Sequence, residues 1–158
     1  MLMTARRTHF RDGLRNLYLP IYDKLCADLG PEWQPFYGQR TAEQQAALYA
    51  VGRTVMGRIV TDALPWESPH NYGCASDWVL WVGGLPVWMM PNDPRWRAYY
   101  DACGVAGARA GASFRKHDRP HNELRIDVSW VSVRGVYEAS GLDASVLYIE
   151  RHRVSRVP

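Results

Sequence analysis

The stretch SPHNYGCASDWVLWV, residues 68–82, places a polar segment that contains glycine directly before an apolar run. Residues 74–82 have the aromatic and β-branched content typical of a buried strand. His70 and Asp77 would lie on opposite faces of one continuous strand, and about 10 Å apart along the axis of one helix. We therefore expect a loop that turns at Gly73 and feeds a strand, so that His70 folds back toward Asp77.

A second polar segment, RKHDRPHNELRID, covers residues 115–127 and holds His117, Asp118 and His121. Two histidines and one carboxylate from separated segments are typical of a catalytic zinc site, which has three protein ligands and a fourth position for water. A nearby carboxylate then accepts the proton of that water. The two segments together predict a metal site, but spacing alone does not say which of the two downstream histidines is a ligand.

The first segment has the form S-x-H-x-x-G-x-A-x-D, and DRPH follows at residues 118–121. Together they resemble the zinc peptidases of the D-alanyl-D-alanine carboxypeptidase type, the M15 or VanY-like family. Upstream, YGQRTAEQQAALYAVGRT (37–54) and VTDA (60–63) resemble the phage endolysin branch of that family, the L-alanyl-D-glutamate peptidases. The resemblance covers roughly residues 37–124, and three segments in the same order make it specific.

The resemblance implies that His70, Asp77 and His121 are the ligands of a Zn²⁺ cofactor. His117 is then expected at the rim of the cleft. Taken alone, His70 would more often be an ordinary loop histidine, so the metal prediction depends on the combination of segments.

The resemblance also implies two catalytic residues and two that bind substrate. Asp118 matches the carboxylate that takes the proton of the attacking water; otherwise it is a turn residue or a partner of a histidine. Arg40 matches an arginine that holds the substrate carbonyl or the developing oxyanion; otherwise it pairs with Glu43. Ser68 matches a serine that binds substrate or orients the loop; otherwise it is a turn former.

One departure from the family's pattern concerns the residues that precede Asp118. The endolysin branch carries a WGGDW-like stretch there, whereas residues 109–118 read RAGASFRKHD, with Phe114 as the only aromatic residue. The shape of the substrate cleft is therefore expected to differ. Four tryptophans have the chemistry to line a peptide or glycan groove, although core packing is their default role: Trp66, Trp78, Trp81 and Trp88. Glu67 and Glu123 are expected at the surface or beside a ligand.

The 158 residues suit a single zinc peptidase domain, 1–158, with core motifs at about 37–124 and a C-terminal extension at 134–158. We predict an α+β fold, a small and mostly antiparallel sheet with packed helices, and the resemblance implies a Hedgehog/DD-peptidase-like arrangement. Predicted helices cover residues 10–29, with a break at Pro20, then the segment after a Thr41 cap, and 93–111. Predicted strands cover 74–82, 122–133 and 146–150, with a hairpin at 83–88 and a short helix at 135–140.

The composition of the chain indicates where the protein acts and which partners it lacks. Three widely spaced cysteines argue against a disulfide framework. A net charge of +3, with scattered arginines such as Arg6, Arg15 and Arg156, gives no basic stripe for nucleic acid. No apolar run is long enough to enter a membrane, and the first residues lack the apolar core of a signal peptide. We expect a monomer in the host bacterial cytoplasm that acts on the cell wall after release.

The sequence thus predicts a zinc-dependent peptidase of peptidoglycan stem peptides, of the L-alanyl-D-glutamate type found in phage lysis proteins. One alternative is a D,D-carboxypeptidase or dipeptidase of the same family. Another is a wall-binding or phage structural module that keeps zinc for stability without catalysis. Nucleic-acid binding through the arginines is a third and weaker alternative.

Overall fold

A computed structural model describes residues 4–154 of the chain. The helices are Ala5–Arg11 (α1), Leu19–Asp28 (α2), Ala42–Ala50 (α3), Trp96–Ala106 (α4) and Trp130–Arg151 (α5). The strands are Trp33–Tyr37 (β1), Ala75–Val82 (β2), Leu85–Val87 (β3), Arg109–Ala110 (β4) and His121–Glu123 (β5). The α+β prediction is confirmed, because helices pack on one small antiparallel sheet.

The sheet has the order β1-β2-β5-β4, and β3 pairs with the second half of β2. Asp77 on β2 is opposite Tyr37 of β1 on one side and opposite His121 of β5 on the other. A register shift between Pro35 and Tyr37 marks a β-bulge at Phe36. The start of β2, with Asp77, therefore lies between β5, which carries His121, and β1, which leads to Arg40.

The core lies under the sheet, on the face of β2 that carries Ser76 and Trp78. Trp78 packs against Tyr22 of α2, with ring centroids 5.4 Å apart. The Tyr18 hydroxyl contacts the side chains of both Ser76 and Asn122, and Asn122 Nδ2 donates to the Ser76 carbonyl oxygen at 2.9 Å. This buried network joins β2 to β5 directly beneath the candidate site and fixes their register.

Arg7 of α1 is fully buried beneath the start of the sheet. Its guanidinium donates to four backbone carbonyls at the end of α2 and the start of β1: Cys26 at 2.8 Å, Leu29 at 3.3 Å, Gly30 at 2.8 Å and Trp33 at 2.8 Å. The last carbonyls of a helix have no partner within the helix, and a cation is favourable there. Arg7 thereby ties the first helix to the strand that leads into the site.

The starts of α2 and α3 follow local sequence signals. The predicted break at Pro20 is wrong: α1 ends at Arg11, the chain turns over residues 12–18, and Pro20 occupies the first turn of α2. The predicted cap of α3 is confirmed: Thr41 Oγ1 accepts from Gln44 N at 3.2 Å, and the Gln44 side chain accepts from Thr41 N at 2.9 Å.

The C-terminal region differs from the prediction. β5 ends at Glu123, and residues 130–151 form α5, so the strands predicted over 122–133 and 146–150 are wrong beyond Glu123. Ser129 caps the helix by accepting from Ser132 N at 3.1 Å, and Gly141 interrupts it at φ 82°. Residues 155–158, including Arg156, lie outside the described residues.

The α5 helix packs behind the segment that carries the first motif. Trp130 stacks on Tyr72 with ring centroids 5.8 Å apart, and Tyr137 stacks on Trp66 at 4.0 Å. The C-terminal extension therefore contributes to the support of the 66–72 loop.

Two further observations concern composition. The three cysteines are free and buried, in line with the expected absence of a disulfide framework. Among residues 4–154, none of the helices has the length and apolarity needed to cross a bilayer.

Candidate metal centre and active-site cleft

A short 3₁₀ turn, Pro69–Tyr72, positions His70. Ser68 begins the turn, and its Oγ accepts from His70 N at 3.3 Å. Gly73 ends the turn at φ 67° and leads into β2, which confirms the turn predicted at that residue. A side chain at Gly73 would also bring a Cβ to 2.9 Å from the carbonyl oxygen of Gly13. The loop thus folds back over the start of β2.

Three ligand atoms converge at this point. His70 Nε2 lies 3.1 Å from His121 Nδ1 and 3.3 Å from Asp77 Oδ1, and His121 Nδ1 lies 3.1 Å from Asp77 Oδ1. All three residues are buried. Ligands bound about 2.0–2.1 Å from a tetrahedral zinc ion lie about 3.3 Å from each other. The donor set and its spacing therefore fit a zinc ion, and the structure brings together the three residues predicted as its ligands.

The other ring nitrogen of each histidine has a partner that orients the ring. His70 Nδ1 lies 2.7 Å from the Gly38 carbonyl oxygen, so a proton on Nδ1 leaves the lone pair of Nε2 for the metal. His121 Nε2 lies 3.0 Å from Glu123 Oε2. Metal-binding histidines commonly donate their second N–H to a carbonyl or a carboxylate in this way. Both rings are therefore oriented with one nitrogen toward the cluster.

Glu123 is the residue to which sequence reasoning gave too little weight. Its side chain is only 5% accessible, and Arg109 Nη1 lies 3.4 Å from Oε1. The signal that identifies it is the spacing H-x-E within a strand. Residues two apart on a strand share a face, so a carboxylate at 123 must lie beside the ring at 121.

Charge is concentrated in the cluster. Burial raises the pKa of Asp77, but His70 and His121 outweigh that effect and hold the pKa well below its usual range. Burial lowers the pKa of His121, but the hydrogen bonds to Asp77 and Glu123 outweigh it and raise the pKa to about 10. Without a metal, both ring nitrogens of His121 therefore carry a proton near neutral pH. A cation that binds Nδ1 must displace the proton on that nitrogen.

Asp118 lies in the loop between β4 and β5, three residues before His121. Its backbone N donates to the Gly111 carbonyl oxygen at 3.0 Å, and His121 N donates to the Asp118 carbonyl oxygen at 3.2 Å. A Cβ at Gly111 would overlap the Asp118 carbonyl oxygen, so this loop closes only with glycine there. Partial desolvation in the cleft and the nearby Asp77 carboxylate raise the pKa of Asp118. A pKa raised above the usual value makes the Asp118 carboxylate a better proton acceptor.

His117 lies outside the cluster. It is exposed, and its Nδ1 lies 2.6 Å from the Ala112 carbonyl oxygen. Of the two histidines left open by spacing, the structure places only His121 beside His70 and Asp77.

Arg40 reaches the centre from the segment between β1 and α3. Its Nη2 lies 3.7 Å from Asp77 Oδ2, and its Nη1 donates to Gln45 Oε1 at 2.7 Å. Its Nε is buried, with no hydrogen-bond partner among the described residues. Gln45 in turn donates to the Ala63 carbonyl oxygen at 2.8 Å. The guanidinium is therefore held in place by its contacts with Gln45 and Asp77. The alternative pairing of Arg40 with Glu43 is not among its contacts.

A cleft of about 1280 Å³ surrounds the cluster. Ser68 lines it and is 4% exposed, so its hydroxyl both caps the turn and borders the cleft. The loops at 54–67 and 111–120 form two walls, and Lys116 Nζ lies 2.5 Å from Asp62 Oδ2 across the mouth.

Comparison with known proteins places these features in context. No family model matches the chain. A 95-residue stretch is 35% identical to the peptidoglycan L-alanyl-D-glutamate endopeptidase CwlK of Bacillus subtilis (strain 168), covering 55% of this chain and 57% of CwlK. The match thus spans little more than half the length of this curated relative.

The crystal structure of the Serratia marcescens L-Ala D-Glu endopeptidase ChiX has a similar fold. The TM-score is 0.57 at 23% identity, over 78% of this chain and 89% of ChiX. This chain is therefore similar in sequence to CwlK over part of its length, and it shares its fold with ChiX.

Proposed function

We propose that this protein is a zinc-dependent peptidoglycan peptidase that cuts the bond between L-Ala and D-Glu in stem peptides. The observation that carries the proposal is the buried His70–Asp77–His121 cluster, whose spacing fits zinc, with Asp118 at its edge. The bond is proposed from the relatives, since CwlK and ChiX are both L-Ala-D-Glu endopeptidases.

His70, Asp77 and His121 would hold the metal. A bound zinc ion supplies a Lewis acid for the scissile carbonyl and lowers the pKa of water. Asp118 accepts the proton of the attacking water and then returns it to the leaving amine, a role that its raised pKa favours. Arg40 donates to the carbonyl oxygen as negative charge develops there, and its fixed position avoids reorganisation during the reaction.

We further propose a phage lysis setting, in which the protein is made in the host cytoplasm and reaches the wall when another factor releases it. The resemblance of residues 37–63 to the endolysin branch supports this setting. We expect the protein to act as a monomer on stem peptides.

Mass spectrometry of the fragments released from purified peptidoglycan, with and without a chelator, tests the proposal. We expect fragments with L-Ala on the glycan side and D-Glu at the new N-terminus, and their loss on chelation. Release of D-Ala alone would instead indicate a D,D-carboxypeptidase. Bound zinc without any fragment would indicate a wall-binding or structural module.

A further inference from the structure

Three aromatic side chains, Phe36, Tyr37 and Trp88, form an exposed patch in the wall of the cleft, here called the aromatic shelf. The rings of Phe36 and Trp88 meet edge to face with centroids 4.8 Å apart, and Phe36 meets Tyr37 in the same way at 4.8 Å. Trp88 is nevertheless 59% exposed and Tyr37 41% exposed. Trp88 is therefore not a core residue, and Phe36 braces two rings that face the cleft.

The backbone builds this shelf from two strands. The bulge at Phe36 brings that ring and its neighbour Tyr37 together at the end of β1, and bulges commonly re-aim side chains next to active sites. Trp88 follows β3 directly, where Val87 pairs with Leu80 of β2. The shelf thus belongs to the same sheet that carries Asp77 and His121.

The shelf is continuous with the metal ligands. The guanidinium carbon of Arg40 lies 5.0 Å from the centre of the Tyr37 ring, and Arg40 Nη2 lies 3.7 Å from Asp77 Oδ2. A single side chain therefore separates the shelf from the cluster. Arg40 is the group proposed to face the scissile carbonyl, and we infer that the shelf lies on the acyl side of that bond.

We propose that the aromatic shelf binds the N-acetylmuramyl sugar that carries the stem peptide. This inference rests on the proposed function, because L-Ala is the stem residue attached to that sugar. A cut between L-Ala and D-Glu leaves only L-Ala and the lactyl group of the sugar between the metal and the sugar ring on the acyl side. An extended residue spans about 3.3–3.6 Å, so the ring would lie about two such lengths away. A cut at the terminal D-Ala would place the sugar several residues away, beyond the shelf.

The aromatic rings of the shelf have the chemistry needed to bind a sugar. One face of a pyranose presents C–H groups, which pack on the electron-rich face of an aromatic ring, while the sugar hydroxyls stay in water. The exposed indole N–H of Trp88 adds a donor for the sugar's polar groups. The wall of the cleft would therefore recognise glycan-linked stems in preference to free peptides.

The test compares two substrates of the zinc-loaded protein: an N-acetylmuramyl tripeptide that begins L-Ala-D-Glu, and the same tripeptide with an N-acetyl group in place of the sugar. The readout is the ratio of the two kcat/KM values. We expect a ratio on the order of tenfold in favour of the sugar, which corresponds to about 1.4 kcal/mol. Trp88→Ala should bring the ratio close to one, and Trp88→Tyr should keep most of it.

Leu85→Ala is the matched control, because Leu85 is 69% exposed on the same hairpin and does not line the cleft. This variant should keep the wild-type ratio. Cleavage of both substrates with a wild-type ratio near one, or with a ratio that Trp88→Ala leaves unchanged, would overturn the shelf proposal and leave the peptidase proposal standing. Cleavage of neither substrate would remove the proposed function, and the shelf proposal with it.

Discussion

Replacing Glu123 by Gln should weaken zinc binding about 10- to 100-fold, the usual cost of losing a carboxylate that orients a metal-binding histidine. Glu123 Oε2 lies 3.0 Å from His121 Nε2, and Oε1 lies 3.4 Å from Arg109 Nη1. Glutamine keeps one acceptor oxygen where glutamate has two and carries no charge, so at least one of these contacts is lost. The expected loss corresponds to about 1.4–2.7 kcal/mol of binding free energy.

Zinc affinity is measured by competition with a chromophoric chelator at fixed pH, so the result does not depend on turnover. Glu67→Gln is the control, since Glu67 is also a mostly buried carboxylate in an ion pair, with Arg134 Nη1 at 2.9 Å and 17% side-chain accessibility. Glu67→Gln should change zinc affinity by less than about twofold. If Glu123→Gln binds zinc as tightly as Glu67→Gln does, the orienting role of Glu123 is refuted.

Asp118→Asn should keep zinc and lose turnover by about 10²- to 10⁴-fold, since it removes only the proton acceptor; a variant that stays active would exclude Asp118 as the base. His121→Ala should lose zinc in equilibrium dialysis and His117→Ala should keep it, and the reverse result would reassign the third ligand. In chelated protein, the free energy of unfolding should fall between about pH 6.5 and 10, by up to about 1.4 kcal/mol per pH unit, because the folded state keeps the His121 proton up to a pKa of about 10 and the unfolded state releases it near 6.5. Urea unfolding at three pH values measures that slope, which His121→Gln should flatten.

Local signals in the sequence predicted parts of the fold correctly. The Thr41 cap with Gln44 and the turn at Gly73 depend on neighbours within a few residues, and both are present. Of the helix at residues 130–151, the sequence predicted only the part at 135–140, because Ile126, Val128 and Trp130 read as an alternating strand and residues 146–150 read as another strand. Packing of that segment against the 66–72 loop overrides its intrinsic preference, and such long-range packing is not visible in local spacing.

In the candidate site too, some features could be predicted from local sequence and others depend on long-range packing. The motifs predicted which side chains meet, and the structure brings His70, Asp77 and His121 within 3.3 Å of each other. Their assignment as zinc ligands stays a prediction. The motifs did not predict the aromatic shelf, because a bulge in β1 creates it and Trp88 arrives from another strand. Cross-strand contacts of that kind require the register of the sheet.

The buried Arg7 has a consequence for the reading of related sequences. Its guanidinium anchors the entry to β1, and β1 leads to the Gly38 carbonyl oxygen that orients His70. A chain that lacked α1 would still contain every motif residue between positions 37 and 124, and a motif search would accept it. Such a chain would nevertheless lack the Arg7 hydrogen bonds to the last carbonyl groups of α2 and to the start of β1, the strand that leads to the Gly38 contact of His70. Intact motifs are therefore necessary for a working site in this fold but are not sufficient. A related sequence should also be checked for an arginine at the position of Arg7.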